Sequence, residues 1–326
     1  MKLLMLVHHR FELWQEPEWF APRLRRQFPD IEVVSRTNYE GAEKDLAEAD
    51  VLMTWSLRPE QFRLGKKLRW VHSPAAAVHL LMSPELVASD VVVTNARDVH
   101  GPVVAEHALA LMLALAKRLP SAMRYQQRHT WAQTELWSEK PSPREIAGAT
   151  LAVVGLGSIG REVARRASAL GLRVLAVREH REKGAESAEV FGPDDLDRVL
   201  AQADFVVLAA PLTPQTEGLI NAARLAAMKR DAYLINVSRG PLVDEAALVE
   251  ALRSGRIAGA ALDVFEPEPL PADSPLWDVE NLLITPHTAA VTERLWERHY
   301  DLLAENLRRY LAGEPLLGLV DKHRGY

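Results

Sequence analysis

Apolar and polar positions alternate along the chain in a pattern that predicts many short buried strands separated by helices. Five apolar runs fall within the first hundred residues, at 3–7, 31–34, 51–53, 70–72 and 91–94. The segments between these runs are polar and charged, with apolar positions at helical spacing. Strands that alternate with helices at this pitch are typical of parallel sheets joined by crossover helices.

A second series of strands is predicted beyond residue 150, at 151–154, 173–177, 205–208, 233–237, 259–263 and 282–285. An apolar helix is predicted between the two series, from Pro102 to Leu119, because proline suits a first helical turn. The stretch 128–144 lacks clear periodicity, and we interpret it as a connecting arm. We expect its Trp131 and Trp137 to pack within the arm rather than reach a neighbouring subunit. A closing helix is predicted over 292–311.

The composition is typical of a soluble globular protein, and the length is sufficient for two domains. Its 326 residues are 48 % hydrophobic and 25 % charged, with a net charge of −5 and no cysteine. A negative chain has no basic field to attract nucleic acid or an anionic membrane, so we expect neither partner. The longest apolar run, residues 108–116, is far below the roughly 20 residues that a bilayer requires. We therefore expect a cytoplasmic protein without disulfides or a metal site.

The sharpest local signal is a glycine-rich loop directly after a predicted strand. It reads Gly155-Leu-Gly157-Ser158-Ile159-Gly160 and leads into a helix predicted over 161–170. Glycines at this spacing allow a tight turn, close approach of a pyrophosphate and close packing of helix on sheet. The first helical turn, which includes Ser158 and Ile159, would offer its N–H groups to the phosphates. The motif predicts a nicotinamide dinucleotide site.

The residues after the next predicted strand bear on the choice between NAD and NADP. An NAD enzyme carries Asp or Glu there to bind the ribose 2′-hydroxyl. This chain has Arg178 instead, followed by His180 and Arg181. Guanidinium groups pair well with a 2′-phosphate, so Arg178 and Arg181 predict NADP as the preferred cofactor. Glu179 lies between them and leaves NAD as the alternative.

Three further segments place chemically useful side chains at predicted strand ends, where open parallel sheets bind ligands. They carry Arg239, a group of carboxylates (Asp263, Glu266 and Glu268), and His287. An arginine would hold the carboxylate of a keto acid or polarise its carbonyl. A histidine would donate a proton to the carbonyl oxygen, and a neighbouring carboxylate would favour the protonated imidazole. The set fits reduction of a 2-keto acid.

With these segments the sequence resembles the D-isomer-specific 2-hydroxyacid dehydrogenase family. The resemblance covers nearly the whole chain, in the order TNARDVHGPVVAEHALALMLAL, AGATLAVVGLGSIG, AAPLTPQTEGLI, INVSRGPLVDEAAL, GAALDVFEPEPLP and LLITPHTAA. It implies catalytic roles for Arg239, Glu268 and His287, and contact of Asp263 with the nicotinamide carboxamide. Glu266 is the less favoured carboxylate, because the family's glutamate stands five residues after the aspartate. The cofactor cleft is implied to be lined by Pro211, Thr216 and Val237.

One segment departs from the family pattern. The loop that binds the substrate carboxylate usually reads Gly-x-Gly, whereas this chain has Ala75-Ala76-Ala77. Alanines there would be costly if the positions need a positive φ, so the loop is expected to be reshaped. The backbone N–H groups of Ala76 and Ala77 would still be available to the substrate.

The resemblance also implies an architecture and an activity. It implies two doubly wound α/β domains of Rossmann and flavodoxin type with the active site in the cleft between them. Residues 1–98 and 288–326 would form a discontinuous substrate domain, and residues 99–287 the NAD(P)-binding domain. The apolar helix and the tryptophan-rich arm suggest a homodimer. We expect NADPH-preferring reduction of a glyoxylate- or hydroxypyruvate-type 2-keto acid.

Two alternatives to this function stay open. The first is an NAD-linked biosynthetic enzyme of the phosphoglycerate dehydrogenase type, although the chain ends soon after its last helix and leaves no room for a regulatory domain. The second is a dinucleotide-sensing interaction protein like the C-terminal-binding corepressors. The presence of arginine, glutamate and histidine together favours an enzyme.

Overall fold

The computed structural model describes residues 1–9, 11–183 and 185–325. The chain divides into two compact units, one formed by residues 1–100 and 291–326 and the other by residues 101–290. Each unit holds one sheet in which every strand pair is parallel. The predicted α/β class with parallel sheets is confirmed in both units.

The first unit has a five-stranded sheet in the order β2-β1-β3-β4-β5, which is flavodoxin-like. Apolar side chains cover both faces of its central strands, so they form two cores, as expected when helices cover both faces of a sheet. The strands are β1 Lys2–Leu6, β2 Glu32–Ser35, β3 Val51–Thr54, β4 Trp70–Ser73 and β5 Val92–Asn95. The helices are α1 Phe20–Gln27, α2 Glu43–Glu48, α3 Pro59–Leu64 and α4 Pro84–Ala88.

The second unit has a seven-stranded sheet in the order β12-β11-β10-β9-β6-β7-β8, the Rossmann order with one added strand. Its strands are β6 Thr150–Val154, β7 Arg173–Val177, β8 Glu189–Phe191, β9 Phe205–Leu208, β10 Tyr233–Asn236, β11 Gly259–Leu262 and β12 Leu282–Ile284. Its helices are α5 Arg97–Ala116, whose first turn belongs to the first unit, α6 Leu119–Gln127, α7 Gln133–Ser138, α8 Ser158–Ala169, α9 Leu196–Leu200, α10 Ala222–Ala227 and α11 Glu245–Arg253. The last helix, α12 Leu295–Ala312, belongs to the first unit and ends at Gly313 with φ 67°.

Helix α5 differs from its prediction at both ends. It begins at Arg97, so Pro102 lies inside it, and it stops at Ala116 because Arg118 adopts a left-handed φ of 56° and starts α6. Among the described residues this is the one helix long and apolar enough to cross a bilayer by length and composition. Most of that stretch is buried, and its buried residues between Val104 and Ala116 form part of the core of the second unit.

The expectation that Trp131 and Trp137 pack within the arm of residues 128–144 was wrong. The arm also contains the short helix α7, which the sequence pattern did not predict. Trp131 is 90 % exposed and Trp137 is 72 % exposed.

A buried carboxyl group lies beside the sheet of the first unit. The Ser35 hydroxyl donates a hydrogen bond to Glu16 Oε1, while Glu16 Oε2 is buried without a hydrogen-bond partner. Burial raises the pKa of Glu16 to about 7. Ionising this carboxyl therefore opposes folding.

Candidate active site

The glycine-rich loop joins β6 to α8 at the carboxyl edge of the seven-stranded sheet. Gly155 has φ 95°, and a Cβ there would lie 2.5 Å from the Ala210 backbone. A Cβ at Gly160 would overlap the carbonyl oxygen of Gly155, so helix and strand pack closely only with glycine. A Cβ at Gly157, the N-cap of α8, would meet nothing within 4 Å. The space beside Gly157 is therefore open at the start of α8, whose first turn contains Ser158 and Ile159, and it fits a pyrophosphate.

Arg178 and Arg181 follow β7, the strand next to the glycine-rich loop in the sheet. The backbone N–H of Arg178 bonds to the Phe191 carbonyl oxygen at 3.1 Å, which fixes where this residue leaves the sheet. Arg178 is half-buried and Arg181 is exposed. Within the described part of the chain, no carboxylate forms a salt bridge with either guanidinium.

Pro211, Thr216 and Val237 lie near the ends of β9 and β10. The Thr216 hydroxyl donates to the Pro211 carbonyl oxygen at 2.7 Å and accepts from the Thr213 backbone N–H at 2.8 Å. These bonds shape the loop after β9. Val237 is buried in the core directly after β10. All three residues lie at the same edge of the sheet as the glycine-rich loop, and their contact with a cofactor stays a prediction.

Arg239 stands on a tight loop after β10. The Asn236 side chain shapes this loop by donating to the Arg239 carbonyl oxygen at 2.8 Å and accepting from the Ser238 N–H at 3.0 Å. The Arg239 guanidinium donates to the Ser238 carbonyl oxygen at 2.6 Å. Burial lowers the pKa of Arg239, and the nearby charge of Glu268 opposes that effect. A half-buried cation with unused N–H donors is suited to bind a carboxylate.

The loop of Arg239 and the loop after β11 approach each other because of one glycine. A Cβ on Gly240 would collide with the carbonyl carbon of Phe265 and would lie 2.8 Å from the Glu266 nitrogen. Any larger residue would push the two loops apart. Gly240 thereby brings Arg239 close to the segment that carries Glu268.

Glu268 and His287 form a hydrogen-bonded pair. The His287 Nδ1 lies 2.7 Å from Glu268 Oε2, and Glu268 Oε1 accepts from the Phe265 backbone N–H at 2.9 Å. Burial would raise the pKa of Glu268, but the hydrogen bonds from His287 and Phe265 hold it below its ordinary value. An ionised Glu268 can only accept, so Nδ1 donates and Nε2 is left to face a ligand. Glu266 is exposed.

Asp263 is fully buried and serves as an internal acceptor. Its Oδ1 accepts from the Thr285 hydroxyl at 2.6 Å and from the Thr288 N–H at 2.9 Å, and its Oδ2 accepts from the Ala289 N–H at 3.0 Å. His107 Nε2 lies 3.5 Å from Oδ1. Burial would raise the pKa of Asp263, but these donors hold it below its ordinary value. The carboxylate is thus largely occupied within the protein, and its contact with a nicotinamide carboxamide stays a prediction.

The alanine loop lies after β4 in the first unit. Asn95 Nδ2 donates to the Ala76 carbonyl oxygen at 2.6 Å, and the Ala96 N–H donates to the Ala75 carbonyl oxygen at 3.0 Å. None of the three alanines has a positive φ. The loop therefore needs no glycine here. The assignment of Ala76 and Ala77 to the substrate carboxylate stays a prediction.

Two contributing residues, His107 and Gly240, were not singled out from the sequence. His107 and Glu106 are the two polar residues of the run AEHALALM, and a half-buried histidine in a largely apolar helix is a usable signal. Gly240 follows Arg239 directly, but the close approach of two loops produces no periodic pattern in the sequence. Throughout the described residues, no group of three or more His, Asp or Glu side chains is arranged to hold a metal ion.

The family model for the D-isomer specific 2-hydroxyacid dehydrogenase NAD-binding domain matches residues 109–289. A glyoxylate reductase from Korarchaeum cryptofilum is 37 % identical over 86 % of this chain and 84 % of its own length. A D-3-phosphoglycerate dehydrogenase from Methanocaldococcus jannaschii is 34 % identical over 92 % of this chain, which spans only 57 % of that longer relative.

The solved structures include a relative with a bound cofactor. The NADPH-dependent glyoxylate/hydroxypyruvate reductase from Sinorhizobium meliloti, in complex with NADP and sulfate, matches with a TM-score of 0.84 at 29 % identity, covering 100 % of both chains. The chain therefore belongs to the D-isomer specific 2-hydroxyacid dehydrogenase family and is an NAD(P)-dependent D-2-hydroxyacid dehydrogenase by class. The resemblance inferred from the sequence is confirmed.

Proposed function

We propose that the protein reduces a small 2-keto acid of the glyoxylate or hydroxypyruvate type to the D-2-hydroxy acid, with NADPH as the preferred reductant. The observation that carries this proposal is the Glu268–His287 pair, held at 2.7 Å beside the half-buried cation Arg239. These three side chains supply a proton, a charge to hold that proton and a site for a carboxylate.

The proton that reaches the carbonyl oxygen comes from His287 Nε2. Glu268 accepts from Nδ1, so it fixes the ring orientation and stabilises the imidazolium, and it stays ionised through the reaction. After transfer, His287 is neutral and keeps its Nδ1–H bond to Glu268. Oxidation of a 2-hydroxy acid reverses this, with Nε2 taking the hydroxyl proton.

Arg239 orients the substrate. One of its N–H groups holds the Ser238 carbonyl oxygen, which fixes the guanidinium plane, and the remaining donors bind the substrate carboxylate. The same positive charge stabilises the negative charge that develops on the carbonyl oxygen.

The dinucleotide, when bound, supplies the hydride. The first-turn N–H groups of α8 would hold its pyrophosphate, and the guanidinium groups of Arg178 and Arg181 would pair with a 2′-phosphate. The preference for NADPH is supported by these two arginines and by the NADPH dependence of the Sinorhizobium relative.

A second candidate substrate is favoured by one observation. The relative from Methanocaldococcus jannaschii is named a D-3-phosphoglycerate dehydrogenase. An enzyme of that type would oxidise a phosphorylated 2-hydroxy acid, using the same proton path in reverse.

A homodimer is supported by the exposed apolar side chains of α6, α7 and the segment between them. Met123 is 60 % exposed, and Trp131 and Trp137 are still more exposed. Trp131→Asp should lower the molar mass measured by light scattering from that of two chains to that of one. A wild-type mass of 36.4 kDa would refute the dimer.

The test of the proposed function is a panel of substrates with both cofactors. Oxidation of NADPH and NADH would be followed with glyoxylate, hydroxypyruvate, pyruvate and phosphohydroxypyruvate. We expect the highest kcat/KM with NADPH and one of the first two acids. Preference for phosphohydroxypyruvate with NADH would favour the second candidate, and no turnover with any acid would favour a dinucleotide sensor.

A further inference from the structure

The backbone at His287 has a conformation that needs support from its surroundings. Its φ of 53° lies in the left-handed region, which residues with a side chain rarely adopt. Such a conformation persists where neighbouring groups hold it. Here the next two backbone N–H groups, those of Thr288 and Ala289, both donate to the buried Asp263 carboxylate. Asp263 therefore clamps the chain directly after His287.

The Asp263 carboxylate is itself held from the other side. The Thr285 hydroxyl donates to its Oδ1 at 2.6 Å. His107 Nε2 reaches the same place, 3.1 Å from Thr285 Oγ1 and 3.5 Å from Asp263 Oδ1. A buried carboxylate needs such donors, because leaving it short of hydrogen bonds is costly.

The geometry also shows which nitrogen of His107 carries a proton. A hydroxyl has one hydrogen, and that of Thr285 is used on Asp263, so Thr285 Oγ1 can only accept from His107. Asp263 Oδ1 is also an acceptor. His107 Nε2 thus faces two acceptors and must be the protonated nitrogen.

We propose that His107 is a positioning residue for the catalytic centre. Its Nε2–H holds Thr285 and Asp263, and Asp263 holds the backbone that sets the His287 ring against Glu268. His107 comes from α5, Asp263 follows β11 and Thr285 follows β12, so the network ties three elements of the second unit together. The inference rests on the proposed role of His287 as proton donor.

The test compares three variants in the full chain. His107→Leu removes the donor, His107→Gln keeps an N–H at nearly the same reach, and Val104→Ala weakens the buried face of the same helix without touching the network. Amide hydrogen exchange of the Thr288 and Ala289 N–H groups is measured without cofactor, and kcat and KM are measured with NADPH and the best keto acid.

We expect His107→Leu to speed the exchange of these two amides and to lower kcat about 10–100-fold, with the KM for NADPH nearly unchanged. His107→Gln should restore most of the protection and of kcat. Val104→Ala should lower the Tm while leaving both readouts near the wild type. Should His107→Leu fail to fold, His107→Phe, which keeps a ring without a donor, takes its place.

The two proposals fail in different ways. Wild-type exchange at Thr288 and Ala289 in the donor-free variant, or equal acceleration in Val104→Ala, overturns the role of His107. Faster exchange with unchanged kcat supports the network as the support of this backbone and counts instead against His287 as the proton donor.

Discussion

Replacing Glu268 by Gln tests the role of the carboxylate beside His287. The change removes the negative charge while keeping the shape of the side chain and a hydrogen-bonding group. Reduction consumes the proton on His287 Nε2, so its rate falls as pH rises and the pair loses that proton. Without the carboxylate, the protonated ring is less stable, and the alkaline limb should move to lower pH.

The size of the shift follows from the geometry. A contact of 2.7 Å is that of a charge-assisted hydrogen bond, worth about 1.5–3 kcal/mol when shielded. Because the His287 side chain is 42 % exposed and that of Glu268 is 32 % exposed, solvent screening reduces this to about 1 kcal/mol. At about 1.4 kcal/mol per pH unit, the limb should move by about 0.7 of a pH unit.

The assay is the pH dependence of kcat/KM for reduction between about pH 6 and pH 9.5. The folded protein holds the pKa of Glu268 below its ordinary value of 4.5, so Glu268 contributes stability above that value and loses it only as pH falls through the lowered pKa. It therefore stays ionised across the assay. Glu266→Gln, two residues away and exposed, is the matched control and should leave the limb in place. A shift in the Glu266 variant, with none in the Glu268 variant, would refute the assignment.

The remaining predictions concern the cofactor, the proton donor, loop packing and pH-dependent stability. Arg178→Asp should remove most of the preference for NADPH, at least tenfold in the ratio of kcat/KM values, because a charge-assisted bond of about 1.5–3 kcal/mol becomes a repulsion; equal use of both cofactors by the wild type would contradict this. His287→Ala should lower kcat about 10²–10⁴-fold while NADPH binding, measured by fluorescence titration, stays near the wild type. Gly240→Ala should lower both kcat and Tm, since the new Cβ would collide with the Phe265 backbone; an unchanged Tm would show that the loops can separate. Glu16→Gln should raise the Tm by a few degrees at pH 8 and by much less at pH 5, because the raised pKa of about 7 leaves the carboxyl neutral in acid; an equal rise at both values would argue against a buried ionisation.

Most elements of the fold could be predicted because apolar runs and helix signals are local. β7 and β9 match their predictions residue for residue. The edge strand β8 was missed because three residues of mixed polarity carry too little pattern. The start of α5 was predicted too late because Pro102 was placed in its first turn. The helix begins at Arg97, so Pro102 lies in its second turn.

The site was predictable as a set of residues but not as a network. The sequence motifs and their order along the chain predicted Arg239, Glu268 and His287 as site residues, and in the structure Glu268 and His287 are in contact. The network that holds the His287 backbone could not be inferred from the sequence. It depends on His107, which lies 180 positions earlier, and on a left-handed backbone conformation that the residue types do not predict. Trp131 and Trp137 were misjudged, because both side chains are largely exposed in the structure and do not pack within the arm.

The alanine loop after β4 has a consequence for how its shape is maintained. Alanine stands where the resemblance expects glycine, and none of the three residues adopts a positive φ. Each alanine in a compatible conformation restricts the unfolded chain and so favours folding by about 0.4–1 kcal/mol relative to glycine. The loop therefore loses less conformational entropy when it orders. Its folded shape is therefore stabilised partly by the restricted backbone conformations of the unfolded chain, in addition to the hydrogen bonds that Asn95 and Ala96 donate to it.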